Sequence, residues 1–168
     1  FHEKVVFLKL TEQQENFLKL LQSNKLDTII PKKYIHNNFS FYRKACNHLF
    51  LIHDVDKYFY RKKNTTKLNI FNSCSTKFFF LNQFLPILKK EKFKVLMFSH
   101  SRKTIDIIED FCKMSSYSYI ALKENLTEKE NLISKFSDQT KNIFIFIISS
   151  NCSLNGLNIS EKTISIVF

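Results

Sequence analysis

The sequence predicts an α/β fold: a parallel sheet with helices on both faces, preceded by a mainly helical N-terminal segment. Three observations predict it. From Lys94 onward, short apolar runs alternate with amphipathic ones in the order strand, helix, strand, helix, strand, loop, strand. That order is the pattern of a parallel sheet whose strands are joined by right-handed crossovers. The runs Val95–Phe98 and Ile143–Ile148 are continuously apolar, as strands covered on both faces are. Before Lys94, most apolar residues recur at helical rather than strand spacing.

The elements follow in chain order. Val5–Leu10 is an apolar run suited to a strand. Thr11 and Gln14 stand at capping-box spacing and open a helix over about 12–22, with Phe17, Leu18, Leu20 and Leu21 on it. Residues 23–38 hold Asn24, Asp27 and Pro31 and read as a loop. The apolar positions of Phe39–Leu51 suit a helix with an apolar end. His53–Cys74 is polar and basic, with Lys57, Arg61, Lys62, Lys63 and Lys67 beside Tyr58, Phe59 and Tyr60. Its simplest reading is a solvated, irregular linker, although basic and aromatic residues together also suit nucleic acid. Thr76–Lys90 reads as a helix burying Phe80, Leu81, Phe84, Leu85 and Leu88, with Pro86 marking a kink or a break.

Lys94–Phe111 is the centre of the pattern. Its strand runs into the polar break Ser99-His100-Ser101-Arg102, and a helix follows with Ile105, Ile107, Ile108, Phe111 and Cys112 on one face. In an α/β sheet such a break sits at the carboxyl end of its strand, where functional loops lie. Tyr117–Leu122 is a short second strand. Thr127–Glu130 is a capping box for a helix that buries Leu132, Ile133 and Phe136. Ile143–Ile148 is the most buried strand, Ser149–Ser160 is polar, and Thr163–Phe168 is the last strand. The organisation expected is 1–53 strand and helices, 54–74 basic linker, and 75–168 sheet domain.

Composition narrows the chemistry. The chain has 168 residues and a net charge of +11, which favours polyanions. A single Gly leaves almost no means of building a backbone phosphate cradle. The four Cys are scattered without a C-x-x-C pair, so neither a disulfide framework nor a zinc site is expected. Cys46, His48 and His53 lie close in sequence, but with no second Cys at ligand spacing they read as core and surface residues. There is no run of about 18 apolar residues, so no membrane span is expected. The chain opens on Phe and closes on ISIVF inside an apparent strand, so both ends read as cuts in a longer protein.

Several motifs now become specific. Phe41-Tyr42-Arg43-Lys44-Ala45-Cys46-Asn47-His48 is similar to an "L-R-K-x-C-N-H-P" helix, with Leu49 in place of the Pro. Val5–Leu21 is similar to a strand followed by an "L-S-x-x-Q" helix, and Thr76–Leu85 to "S-G-K-L-x-x-L-x-x-L-L". Lys94–Arg102 is similar to "K-V-L-I-F-S-Q-x", with His100 where Gln is usual, and Asp106–Phe111 to "D-I-L-E-D-Y". Together they resemble the second helicase lobe of Snf-type DNA translocases, superfamily-two ATPases of chromatin remodelling and repair. Ser99–Arg102 most resembles the Cockayne-syndrome-B-like repair group. The upstream "L-R-K-x-C-N-H" helix speaks against another superfamily-two branch such as an RNA helicase.

The resemblance implies a RecA-like second lobe that grips double-stranded DNA or chromatin in the nucleus, opposite a first RecA-like lobe of the same protein. It implies backbone contacts from Ser99, His100 and Arg102, and from Ser149, Ser150 and Asn151, where the family has "S/T-T-R". It also implies nucleotide-facing residues Gly156 and Asn158 in Ser153–Ile159, which matches "G-G-L-G-I-N-L" without two of its glycines. ATP and Mg2+ would be held only by the complete two-lobe protein. The chain has no Walker A "G-K-[S/T]", no acidic box and no arginine-finger motif. It is therefore expected neither to bind nor to hydrolyse ATP alone. The replaced glycines leave a second reading open, a degenerate lobe that binds nucleic acid or protein without catalysis.

Overall fold

The computed structural model describes residues 3–23, 25, 38–60, 65–123, 128–152 and 162–168. The chain divides into two compact units, Phe1–Asn82 and Gln83–Phe168.

The first unit is helical. It holds α1 (Glu12–Gln22), α2 (Asn38–Asn47), a single 3-10 turn (Leu49–Leu51), α3 (Val55–Tyr60), α4 (Lys67–Ser73) and the start of α5 (Thr76–Lys90). Its core joins Phe17 and Leu21 of α1, Phe41 and Ala45 of α2, Leu49, Val55, Phe59, Ile70 and Cys74. One buried side chain ties three helix ends together. Gln14 completes the capping box of α1 by accepting from the Thr11 N–H at 3.2 Å. Its Nε2 donates to the Ala45 carbonyl at 2.6 Å, near the end of α2, and its Oε1 accepts from the Thr76 N–H at 3.0 Å, at the start of α5. These are the backbone groups that helix ends leave without an intrahelical partner.

Three expectations change here. Residues 3–10 form no strand, and Val5, Val6 and Phe7 are exposed, Phe7 at 92%. An apolar run becomes a strand only where a neighbour completes its ladder, and no described segment pairs with this one. The helix of Phe39–Leu51 stops at Asn47, because His48 turns extended and its Nδ1 accepts from the Phe50 N–H at 3.0 Å. Residues 54–74, expected as an irregular linker, contain α3 and α4 and give Val55, Phe59, Ile70 and Cys74 to the core. Residues 61–64 of that stretch lie outside the described residues.

His48 is buried among Phe71, Phe50 and Phe78, with ring centroids 4.3, 4.9 and 5.2 Å away. Desolvation pushes its imidazole down to about 3, against a smaller opposing pull from the Phe71 backbone. It is a neutral core residue, whereas Cys46 and His53 are exposed.

The second unit is the α/β sheet domain. Its strands are β1 (Lys94–Ser99), β2 (Tyr119–Leu122), β3 (Ile145–Ser149) and β4 (Thr163–Val167), all parallel in the order β2-β3-β1-β4. β1 and β3 are central, and Val95, Leu96 and Met97 are buried with all of β3. Successive strand side chains face opposite sides. Leu96, Phe98, Phe146 and Ile148 pack with Phe136, Leu132 and Ile133 of α7 (Lys129–Ser137). The other face carries Val95, Met97, Ile145 and Ile147, and α6 (Arg102–Met114) packs along β1, β2 and β3 through Ile105, Ile108 and Phe111. Thus helices cover both faces, as the alternating pattern requires.

In detail, α5 runs unbroken through Pro86 and buries Phe78, Leu81, Leu85 and Leu88, leaving Phe80 and Phe84 half-buried. α7 begins at Lys129 with Glu128 as its cap residue and no side-chain cap bond. Thr127, the expected cap, lies outside the described residues. Scarce glycine shows at the turns: Asp54, Lys92, Ser116 and Asn142 take left-handed φ of 62°, 60°, 53° and 52°. For Lys and Ser this costs roughly 1–2 kcal/mol each. All four cysteines are free thiols, and burial pushes Cys112 up to about 12.

Candidate nucleic-acid interface

The site begins with the register of the two central strands. β1 and β3 pair residue for residue from Val95↔Ile145 to Ser99↔Ser149, so both strands end level. The ladder continues one step, with the Ser150 N–H donating to the Ser99 carbonyl at 3.0 Å. Adjacent strands lie about 4.8 Å apart, and the loops that leave them are therefore neighbours. His100 Nδ1 and Ser150 Oγ stand 3.2 Å apart across that gap.

Each loop is fixed locally. The Ser99 Oγ accepts from the Ser101 N–H at 3.3 Å. Ser101 is the cap residue of α6, and its Oγ accepts from the Thr104 N–H at 3.4 Å. The first turn of α6 carries Arg102 and Lys103 and no acidic residue. A helix N-terminus has a positive dipole end, and the two cations add to it, so this edge attracts anions. On the β3 side, the Cys152 N–H donates to the Ser149 carbonyl at 2.9 Å and closes a turn over Ser150 and Asn151.

The expected site residues divide by exposure. His100, Arg102, Ser150 and Asn151 are exposed and lie on the two neighbouring loops. Ser99 and Ser149 are 3% and 4% exposed. As final residues of central strands they are walled in by the ladder, and each ties down the turn that follows it. Gly156 and Asn158, expected against a nucleotide, lie outside the described residues. Two contributors escape a motif-based reading. Ser101 anchors α6, and its spacing to Thr104 ahead of an amphipathic run is the signal for it. Lys123, just past β2, reaches Asp106 at 2.8 Å and Glu109 at 2.6 Å on α6. The hydrogen bonds to Asp106 and then Glu109 hold its ammonium above the ordinary lysine range. Among the described residues, no cluster of His, Cys, Asp or Glu could hold a metal ion, and no helix is long and apolar enough to cross a membrane.

This arrangement can hold an anion by a guanidinium, helix N–H groups, a hydroxyl, an amide and an imidazole at the carboxyl end of the sheet. A model of the helicase conserved C-terminal domain matches residues 76–168. The chain belongs to this family. Within it, the chain is a Snf2-type superfamily-two C-terminal lobe. It is 28% identical over 177 residues to nuclear protein STH1/NPS1 of Saccharomyces cerevisiae, covering 99% of this chain and 13% of that protein. It is 26% identical over 170 residues to the human SWI/SNF-related matrix-associated actin-dependent regulator of chromatin subfamily A member 1, covering 97% of this chain and 16% of that protein. The chain thus spans a small part of these relatives.

Among solved structures, the Sulfolobus solfataricus SWI2/SNF2 ATPase C-terminal domain superposes with a TM-score of 0.63 at 13% identity, over 97% of this chain and 77% of that one. The core of a Sulfolobus solfataricus SWI2/SNF2 ATPase in complex with dsDNA superposes with a TM-score of 0.58 at 15% identity, over 86% of this chain and 30% of that one. At these identities the likeness is one of fold, and it covers the RecA-like sheet and the helical part before it.

Proposed function

We propose that this lobe works in the nucleus as part of an ATP-dependent DNA translocase of chromatin remodelling or DNA repair. Its substrate is double-stranded DNA or chromatin, and its partner is a first RecA-like lobe of the same protein. The observation that carries the reading is the gathering of His100, Arg102, Ser150 and Asn151 on two loops joined by the Ser99↔Ser149 register, beside the N-terminus of α6. Donors so placed suit phosphate oxygens, which position a protein on a duplex without reading sequence. Arg102 supplies the full positive charge, and Ser150, Asn151 and His100 supply hydrogen bonds.

ATP and Mg2+ enter only with the two-lobe protein, in which this lobe lines one side of the nucleotide cleft through the segment holding Gly156 and Asn158. The purified chain is expected to show no DNA-stimulated ATP turnover, and measurable turnover would sink that part of the reading. The replaced glycines around Gly156 favour one alternative, a lobe that binds without catalysis. A "G-K-T" and an acidic box upstream, with "Q-x-x-x-R-x-x-R" downstream, would decide for the enzyme.

The direct test is salt dependence. Each neutralised phosphate contributes about −0.9 to the slope of log K against log salt. Arg102→Ala should therefore flatten the slope for a short duplex by about one unit. Binding that ignores salt, or no binding at 50 mM salt, would refute the DNA role.

A further inference from the structure

The opposite end of the sheet carries a second basic site, unlike the first in shape. At the amino ends of the strands lies a cavity of about 960 Å³, and among the described residues five lysines line it: Lys89, Lys92, Lys94, Lys141 and Lys162. They come from five separate places: the end of α5, the turn after it, the start of β1, the turn before β3, and the residue before β4. Among the described residues, no Asp or Glu lines it. The neighbouring acid, Asp138, accepts at Oδ1 from the Thr140 N–H and hydroxyl at 2.9 and 2.6 Å, and its charge offsets part of that of Lys94 and Lys141, leaving the lysines in excess. Two of the lysines are held by the fold. Lys94 Nζ donates to the Phe136 and Asp138 carbonyls, and Lys89 Nζ lies 5.3 Å from the Tyr117 ring centroid. Lys92, Lys141 and Lys162 are exposed. A concavity walled by protein focuses such like charges into a strong positive potential.

The shape of the site decides which anion suits it. Its lining includes Phe93, Ile143 and Phe144, with Ser116, Ser118, Gln139 and Asn142 around them. A duplex would meet the lysines with phosphates but has no apolar side chain to set against Phe93, Ile143 and Phe144. A peptide can place carboxylates against the lysines, apolar side chains against Phe93, Ile143 and Phe144, and its backbone against the hydroxyls and amides. The geometry points to a docking site for an acidic peptide segment that carries interspersed apolar residues. Across β1 this end lies about 20 Å from the His100 loop, at roughly 3.3 Å per residue. The two basic sites are therefore separable by mutation.

The experiment is fluorescence anisotropy of the whole chain with a labelled peptide of alternating Glu and Leu, and with a short labelled duplex. Lys92→Glu combined with Lys141→Glu should weaken the peptide by about tenfold or more, with an unchanged melting temperature. Lys92→Gln with Lys141→Gln should give a smaller loss in the same direction. Arg102→Ala should leave the peptide untouched. Absence of peptide binding, or equal affinity in both lysine pairs and the parent, would overturn the proposal. Weakening of the duplex as strong as that of the peptide would reassign the site to nucleic acid, and would overturn it equally.

Discussion

Replacing Gln14 by alanine is the sharpest test of how the helical unit is held. Gln14 is fully buried and satisfies backbone groups at three helix ends. The capping box of α1 loses its Thr11 N–H partner, α2 loses the donor to Ala45, and α5 loses the acceptor for Thr76. The Ala45 carbonyl has no ordinary helical substitute, because the Leu49 N–H that would serve it donates instead to Cys74 at 3.1 Å. An orphaned buried backbone group costs about 1–3 kcal/mol. Counting the lower figure for each of the three ends gives a loss of about 3 kcal/mol. For a chain of this size that corresponds to about 6–12 °C in melting temperature. Urea unfolding followed by circular dichroism would measure it. A loss below about 0.5 kcal/mol, the scale of an ordinary surface substitution, would refute the three-ended role of Gln14.

Two further outcomes follow from the same structure. His48 titrates near 6.5 when unfolded and at about 3 when folded, so the unfolded chain binds the extra proton between those values and stability falls as pH drops. Between pH 7 and pH 5 the loss from this residue should be about 2 kcal/mol, measured as the difference in urea stability between the parent and His48→Asn; equal pH dependence of the two would exclude it. Ser101→Ala removes the α6 cap and should cost about 1 kcal/mol in thermal unfolding, with weaker duplex binding through the displaced Arg102 turn; unchanged stability would show that the cap does not hold α6.

Much of this was legible because local and tertiary signals agree. Thr11 and Gln14 announce the start of α1, and the continuous run Ile143–Ile148 announces a central strand. The polar break between Phe98 and Thr104 marks the loop at a strand end. What escaped depends on partners distant in sequence. Val5–Phe7 carry strand propensity, but propensity makes no ladder. Val55, Phe59, Ile70 and Cys74 sit in so polar a stretch that their helical spacing is masked, and only the core shows them to be inside. His48 stood beside Cys46 as a possible ligand, whereas its aromatic surroundings come from Phe71 and Phe78, far along the chain. Ser99 and Ser149 look like loop hydroxyls in sequence. Their burial follows from the register of strands about fifty positions apart, as the His100–Ser150 separation of 50 residues illustrates.

The bond from the Ser150 N–H to the Ser99 carbonyl has a mechanical consequence. It welds the first residue beyond β3 to the last residue of β1, and the His100–Ser150 contact adds a second rivet. Neither loop can swing without dragging the other, so the carboxyl end of the sheet behaves as one rigid jaw rather than two fingers. Substitutions in the two loops should then be strongly non-additive, since loosening either side releases both.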